Sequence, residues 1–245
     1  MKSYRTILLV IIGLLLAVGV NYVLFTGILQ GLPPAVAEAM DSDSNVLVEF
    51  NKNKLTMTPT AGAQAGLVLY GEGKEDVRMY APIARMLAES GIKVVVMSQR
   101  LEMRIAEDKL FARIGEVVAV DSSIPWYIGG HTSGARTSVK YALQHPADFK
   151  GVVLWAARLS DESDLSDLAL PVLYVYGTLD DANVNLVNTN RALVPADTVW
   201  VSIEGANRAD FSYWGPMAAD VGSTIPIPEI QHQAADATIK FILSP

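Results

Sequence analysis

The sequence predicts a doubly wound, mostly parallel α/β sheet preceded by one transmembrane helix. Three observations predict it. Unbroken apolar runs such as Val94-Val95-Val96 and Val152-Val153-Leu154 suit strands buried on both faces. Helical patterns alternate with those runs along the chain, as a parallel sheet with crossover helices requires. A long apolar stretch lies near the N-terminus.

That stretch runs over residues 7–25, about 19 residues against the roughly 20 that span a bilayer as helix. Lys2 and Arg5 precede it, and Glu38, Asp41 and Asp43 are the first charges after it. The positive-inside rule then leaves residues 1–6 in the cytoplasm, makes 7–25 a signal-anchor, and sets the domain on the extracytoplasmic side. A competing reading is secretion after cleavage at Ala35-Val36-Ala37, an A-x-A site. Residues 26–45, with Pro33-Pro34 and Asp41-Ser42-Asp43-Ser44, read as a linker, and 46–245 as the domain.

Within the domain, strands are expected at Val46–Phe50, Leu55–Thr58, Gly66–Tyr70, Lys93–Met97, Trp126–Ile128, Gly151–Trp155, Val172–Tyr176 and Val199–Ile203. The first two, joined by Asn51-Lys52-Asn53-Lys54, read as an antiparallel hairpin at the sheet edge. Helices are expected at about 77–89, 105–120, 132–144, 184–193 and 230–243. In the first, Tyr80, Ile83, Ala84 and Leu87 share one face at helical spacing.

Composition narrows the function. The 245 residues carry a net charge of −7, with 51% hydrophobic and 18% charged residues. There is no basic stripe, which argues against a nucleic-acid partner. The sequence has no cysteine, so thiolate nucleophiles, thiolate metal sites and disulfides are excluded. No cluster has metal-ligand spacing, and neither metal nor cofactor is expected.

The chemistry-bearing stretch is Gly129-Gly130-His131-Thr132-Ser133-Gly134-Ala135, where a strand enters a Gly-rich turn and a helix follows. This is the context of the G-x-S-x-G nucleophile elbow, with threonine at its centre. Thr132 would present its hydroxyl at the helix N-terminus, and Ser133 would lend a backbone N–H to an oxyanion hole. A βα turn with a threonine helix cap is the plainer alternative.

With Gly66-Leu67-Val68-Leu69-Tyr70-Gly71-Glu72-Gly73-Lys74, Tyr80-Ala81-Pro82-Ile83-Ala84, Leu170-Pro171-Val172-Leu173-Tyr174-Val175-Tyr176-Gly177-Thr178-Leu179-Asp180 and Ile203-Glu204-Gly205-Ala206-Asn207, the chain resembles the alpha/beta hydrolase family. The likeness is to its compact group related to dienelactone hydrolases, from about residue 65 to the C-terminus. The resemblance implies an α/β-hydrolase fold, a Ser-Asp-His triad in that order, and hydrolysis of ester or lactone-type acyl bonds. It puts the nucleophile on Thr132, the acid on Asp180 with Asp181 adjoining, the base on Arg208, and the second oxyanion donor at Gly71 to Gly73.

Two of the three triad positions therefore depart from the pattern. Threonine's extra methyl restricts χ1. A guanidinium stays protonated to a pH above about 12 and cannot serve as a general base. It is suited to pair with Asp180 in the space an imidazole would fill. His131, expected to point away from the triad, His145 and His232 are the other histidines, and each is a weak substitute base.

Three functions follow: a hydrolase centred on Thr132, an inactive homologue used as a scaffold, or a module binding small anions through Arg208, Thr132 and the helix N-terminus. Expected partners are a small ester or anionic ligand and, through the N-terminal helix, a membrane. The short Leu159–Leu168 segment leaves no room for a large lid, so the site is expected to be open. Around Gln99–Ala106 the chain departs from the family's loop.

Overall fold

The computed structural model describes residues 11–13, 16, 31–51, 54–73, 76–98, 107–215 and 221–244. Its strands are β1 (Val46–Asn51), β2 (Lys54–Pro59), β3 (Ala65–Tyr70), β4 (Ile92–Met97), β5 (Trp126–His131), β6 (Val152–Trp155), β7 (Val172–Gly177) and β8 (Val199–Ile203). They form one 8-stranded sheet in the order β1-β2-β4-β3-β5-β6-β7-β8. Every pairing from β4 to β8 is parallel, while β1 and β2 form the expected antiparallel hairpin at the edge.

The helices are α1 (Pro34–Ala39), α2 (Ala81–Glu89), α3 (Glu107–Val120), α4 (Gly134–Gln144), α5 (Asp181–Asn190) and α6 (Ile227–Leu243). Strand alternation sorts the interior into two layers. Leu67, Val94, Val153 and Leu173 face one core with Ile83 and Leu87 of α2 and Ile230 and Ala234 of α6. Val68, Val95, Val152 and Val172 face the other with Ile114 of α3 and Val139 of α4. The unbroken apolar runs are therefore alternating runs with a core on both sides.

Two expectations are revised at the N-terminus. The transmembrane signal-anchor over 7–25 does not stand, nor do the membrane partner and extracytoplasmic placement built on it. Among the described residues no helix is long and apolar enough to cross a membrane. A crossing needs about 20 continuous apolar helical residues at 1.5 Å each. Of that stretch only Ile11–Gly13 and Leu16 are described, as helix, and the rest lies outside the described residues.

Part of the stretch expected as linker is ordered. Pro34 opens α1 in its first turn, where its missing N–H costs nothing. Val36 and Ala39 enter the first core. The Arg85 side chain on α2 fastens the following loop through the Ala39 carbonyl and the Asp43 carboxylate. The departure expected around Gln99–Ala106 lies, apart from its flanks, outside the described residues.

Candidate functional site

The sheet's carboxyl edge is built by close backbone approach. β5 ends at His131, Thr132 turns the chain, and α4 begins at Gly134. A Cβ at Gly134 would sit 2.2 Å from the Tyr70 carbonyl oxygen, and one at Gly130 would sit 2.4 Å from the Ala135 nitrogen. Only glycine lets β5, β3 and α4 meet this closely.

Thr132 carries φ of 47°, left-handed backbone that a β-branched residue rarely adopts. Its N–H donates to the Trp155 carbonyl at 3.0 Å, and its own carbonyl accepts from the Arg158 N–H at 3.1 Å. Ala156, after β6, is the other non-glycine residue with positive φ among those described. The turns after β5 and β6 thus hold each other in strained conformations, a feature that concentrates at functional sites. The Thr132 hydroxyl is fully buried and has no hydrogen-bond partner among the described residues.

Asp180 and Arg208 come together as expected. Asp180 follows β7 and caps the start of α5 by position, without a side-chain capping bond. Arg208 opens a 3-10 turn, Arg208–Phe211, whose Ala209 N–H donates to the Asn207 side-chain oxygen. The Leu179 N–H donates to the Ala206 carbonyl at 2.9 Å and the Gly205 N–H to Thr178 Oγ1 at 3.0 Å, which ties the two loops together. Arg208 Nε lies 3.8 Å from Asp180 Oδ1, an ion pair between two buried side chains. The side chain of Asp181 is outside the described part of the structure.

The three triad positions are buried, Thr132, Asp180 and Arg208 being 0%, 3% and 5% exposed. Among the described residues, the loops after β3, β6 and β8 pack on the elbow directly. A cleft of about 420 Å3 lies elsewhere, between the β2–β4 side of the sheet and α3, lined by Lys54, Lys93, Val95, Met97, Arg113 and Glu116. No triad position contributes to it.

His131 does more than its expected role of pointing away. Its Nε2–H donates to the Arg208 carbonyl at 2.8 Å, which fixes the tautomer and leaves Nδ1 to accept from the Tyr80 hydroxyl at 2.7 Å. The Tyr80 oxygen in turn accepts from the Glu72 N–H at 3.0 Å. One buried relay thus joins the loop after β3, the elbow and the base-position loop. The sequence places Tyr80 on the apolar face of its helix and gives no cue to its hydroxyl's partners.

Burial lowers the His131 pKa to about 4, with the neighbouring Arg208 charge acting in the same direction and the bond to the Arg208 carbonyl opposing. Above pH 6.5 the imidazole is neutral in folded and unfolded chains alike, and its stabilising contribution is complete. As the pH falls the unfolded chain takes up a proton that the folded one refuses. Stability should therefore fall by about 2 kcal/mol between pH 7 and 4.5 on this account alone. Urea unfolding of the unaltered chain and His131→Gln at both pH values checks this. Glutamine keeps a donor and an acceptor without titrating, so its loss over that interval should be smaller by that amount.

His145 stacks on Tyr141 at the far end of α4, and His232 is exposed beside Asp236. Neither lies among the residues of the elbow.

Of the predicted oxyanion residues, Gly71 and Gly73 donate their N–H groups within the protein. The Gly71 N–H is used by the sheet, donating to the Met97 carbonyl at 3.2 Å. The Gly73 N–H donates to Ser133 Oγ at 3.3 Å. Ser133 itself stands at the N-cap of α4. The elbow and the loop after β3 do meet, but through a side-chain oxygen.

A family model described as the alpha/beta hydrolase family matches residues 66–232. No curated protein matches the chain. Among solved structures, a dienelactone hydrolase from Anabaena variabilis superposes with a TM-score of 0.58 at 14% identity, covering 80% of this chain and 98% of that one. An esterase from Pseudomonas putida gives 0.57 at 13%, covering 88% and 93%. A monoglyceride lipase from Saccharomyces cerevisiae gives 0.59 at 11%, covering 84% and 96%. At these identities the likeness is one of fold.

Proposed function

The chain belongs to the alpha/beta hydrolase family, and on that premise we propose that it keeps the architecture of a site for ester or lactone-type acyl bonds while being silent in that chemistry. The observation that carries this reading is the buried Arg208–Asp180 pair. In an acyl hydrolase a neutral base takes the nucleophile's proton and returns it to the leaving group. A guanidinium cannot act as that base, so Asp180 has a cation beside it in the place of a base to orient. Two further observations support the reading. The Thr132 hydroxyl is buried with no acceptor for its proton among the described residues, and the Gly71 and Gly73 amides donate within the protein. A role in binding, as a scaffold or for a small anion, is what remains. The anion role is the weaker of the two because Asp180 already neutralises Arg208.

One observation favours a second reading, a hydrolase with Thr132 as nucleophile. A threonine held at φ of 47° is costly, and such strain is kept where a reacting group must be presented at a sharp turn.

The two readings part in a single assay on the full chain. A fluorophosphonate probe should leave the unaltered protein unlabelled, and p-nitrophenyl acetate should be hydrolysed no faster than by Thr132→Ala. Labelling that disappears in Thr132→Ala would establish the second reading and overturn the first.

A further inference from the structure

Three consecutive amides follow β3, and all three are occupied from within the protein. Gly71 donates to a sheet carbonyl, Glu72 to Tyr80 Oη and Gly73 to Ser133 Oγ. An acyl-hydrolase site needs at least one of them to point at substrate oxygen.

The three bonds are not equally fixed. The Gly71 bond belongs to the β3–β4 ladder. The Tyr80 oxygen is locked by its own donation to His131, in a pair of fully buried rings, and its ring fills the space where a Gly71 Cβ would fall. Ser133 differs. It is only partly buried, as is Gly73, and its side chain reaches Gly73 through one rotatable bond. Its bond at 3.3 Å is the longest of the three.

We propose that Ser133 is a latch over an internally capped oxyanion pocket: Tyr80 Oη caps the Glu72 N–H permanently, and Ser133 Oγ caps the Gly73 N–H until its side chain turns away. The ligand admitted by that turn is a small carboxylate. It would receive the Gly73 N–H beside the N-terminus of α4, which favours negative charge. This assignment rests on the reading of the elbow as an acyl-hydrolase site and adds to it the group that closes it. It also explains why the Ser133 hydroxyl is present at a position where the fold asks only for a backbone N–H.

The test uses the 15N-labelled full chain and Ser133→Ala, with Ser133→Thr as the variant that keeps a hydroxyl. In Ser133→Ala the Gly73 amide should exchange with solvent deuterium about tenfold faster or more, with Gly71 and Glu72 unchanged. Sodium acetate should then shift the Gly73 resonance saturably in Ser133→Ala and leave the unaltered chain and Ser133→Thr unmoved. Equal Gly73 exchange in all three proteins overturns the latch, and so does an acetate response that is absent from Ser133→Ala or equal in all three. The outcome is separable from the triad mapping, which is tested by Thr132→Ser with Arg208→His. An inert double variant together with a freed Gly73 sinks the mapping and keeps the latch. An active double variant with Gly73 still protected in Ser133→Ala does the reverse.

Discussion

The full chain carrying Thr132→Ser and Arg208→His should hydrolyse p-nitrophenyl acetate at least about 10²-fold faster than the unaltered protein, the lower end of what a positioned general base contributes. The geometry that makes this reasonable is already in place. Arg208 Nε stands 3.8 Å from Asp180 Oδ1, where the carboxylate of a triad would orient an imidazole. The turn carrying Asp180 is bonded to the Arg208 loop through Leu179 and Ala206, so the substitution is not asked to build a scaffold. Serine relieves the β-branch at a left-handed position. Each single variant should fall well short, because a serine without a base leaves its proton unplaced and a β-branched threonine at a left-handed turn is hindered in attack even beside a base. A double variant that unfolds cooperatively at the same urea concentration and stays inert shows that the triad has been assigned to the wrong residues.

Arg208→Ala should lower the unfolding free energy by about 3–5 kcal/mol, because it removes the cation paired with the buried Asp180 carboxylate. Urea denaturation at pH 7 measures this. The control is the neutral pair Asp180→Asn with Arg208→Met, which removes both charges and keeps most of the volume. It should lie within about 1–2 kcal/mol of the unaltered chain, since a buried pair can be replaced by neutral groups at little cost. If Arg208→Ala alone is equally mild, the pair is not what holds these loops, and their packing on the elbow has another cause.

The fold was legible because burial on both sheet faces leaves a strong mark. Val94-Val95-Val96 and Val152-Val153-Leu154 are read as strands from their apolarity, and both feed alternate side chains into the two cores. The elbow was legible because close approach admits only glycine at Gly130 and Gly134. The Arg208–Asp180 pair was legible once the resemblance had put both residues at triad positions, because a guanidinium and a carboxylate there suit each other. The burial of the triad positions was not legible, since it comes from short loops packing on one another, and a loop's length does not say where it lies. The fates of the Gly71 and Gly73 amides were not legible either. Backbone donors carry no sequence signal, and their partners, Met97 and Ser133, are set by register and rotamer. Helix α1 was hidden behind Pro33-Pro34, which mark a linker and a helix start equally well.

That short helix has a consequence for processing. The bond after Ala37 belongs to the Ala35-Val36-Ala37 site, and a protease takes its substrate as an extended strand. In the folded chain the Ala37 N–H is committed to the Pro33 carbonyl at 2.9 Å, and Val36 is a fully enclosed core residue whose burial contributes about 1.5–3 kcal/mol. A cut there must come before the domain folds, or during an opening that draws Val36 out of the core. The product would have to be stable without that residue. Timing, rather than the three-residue pattern, decides whether this bond is ever a substrate.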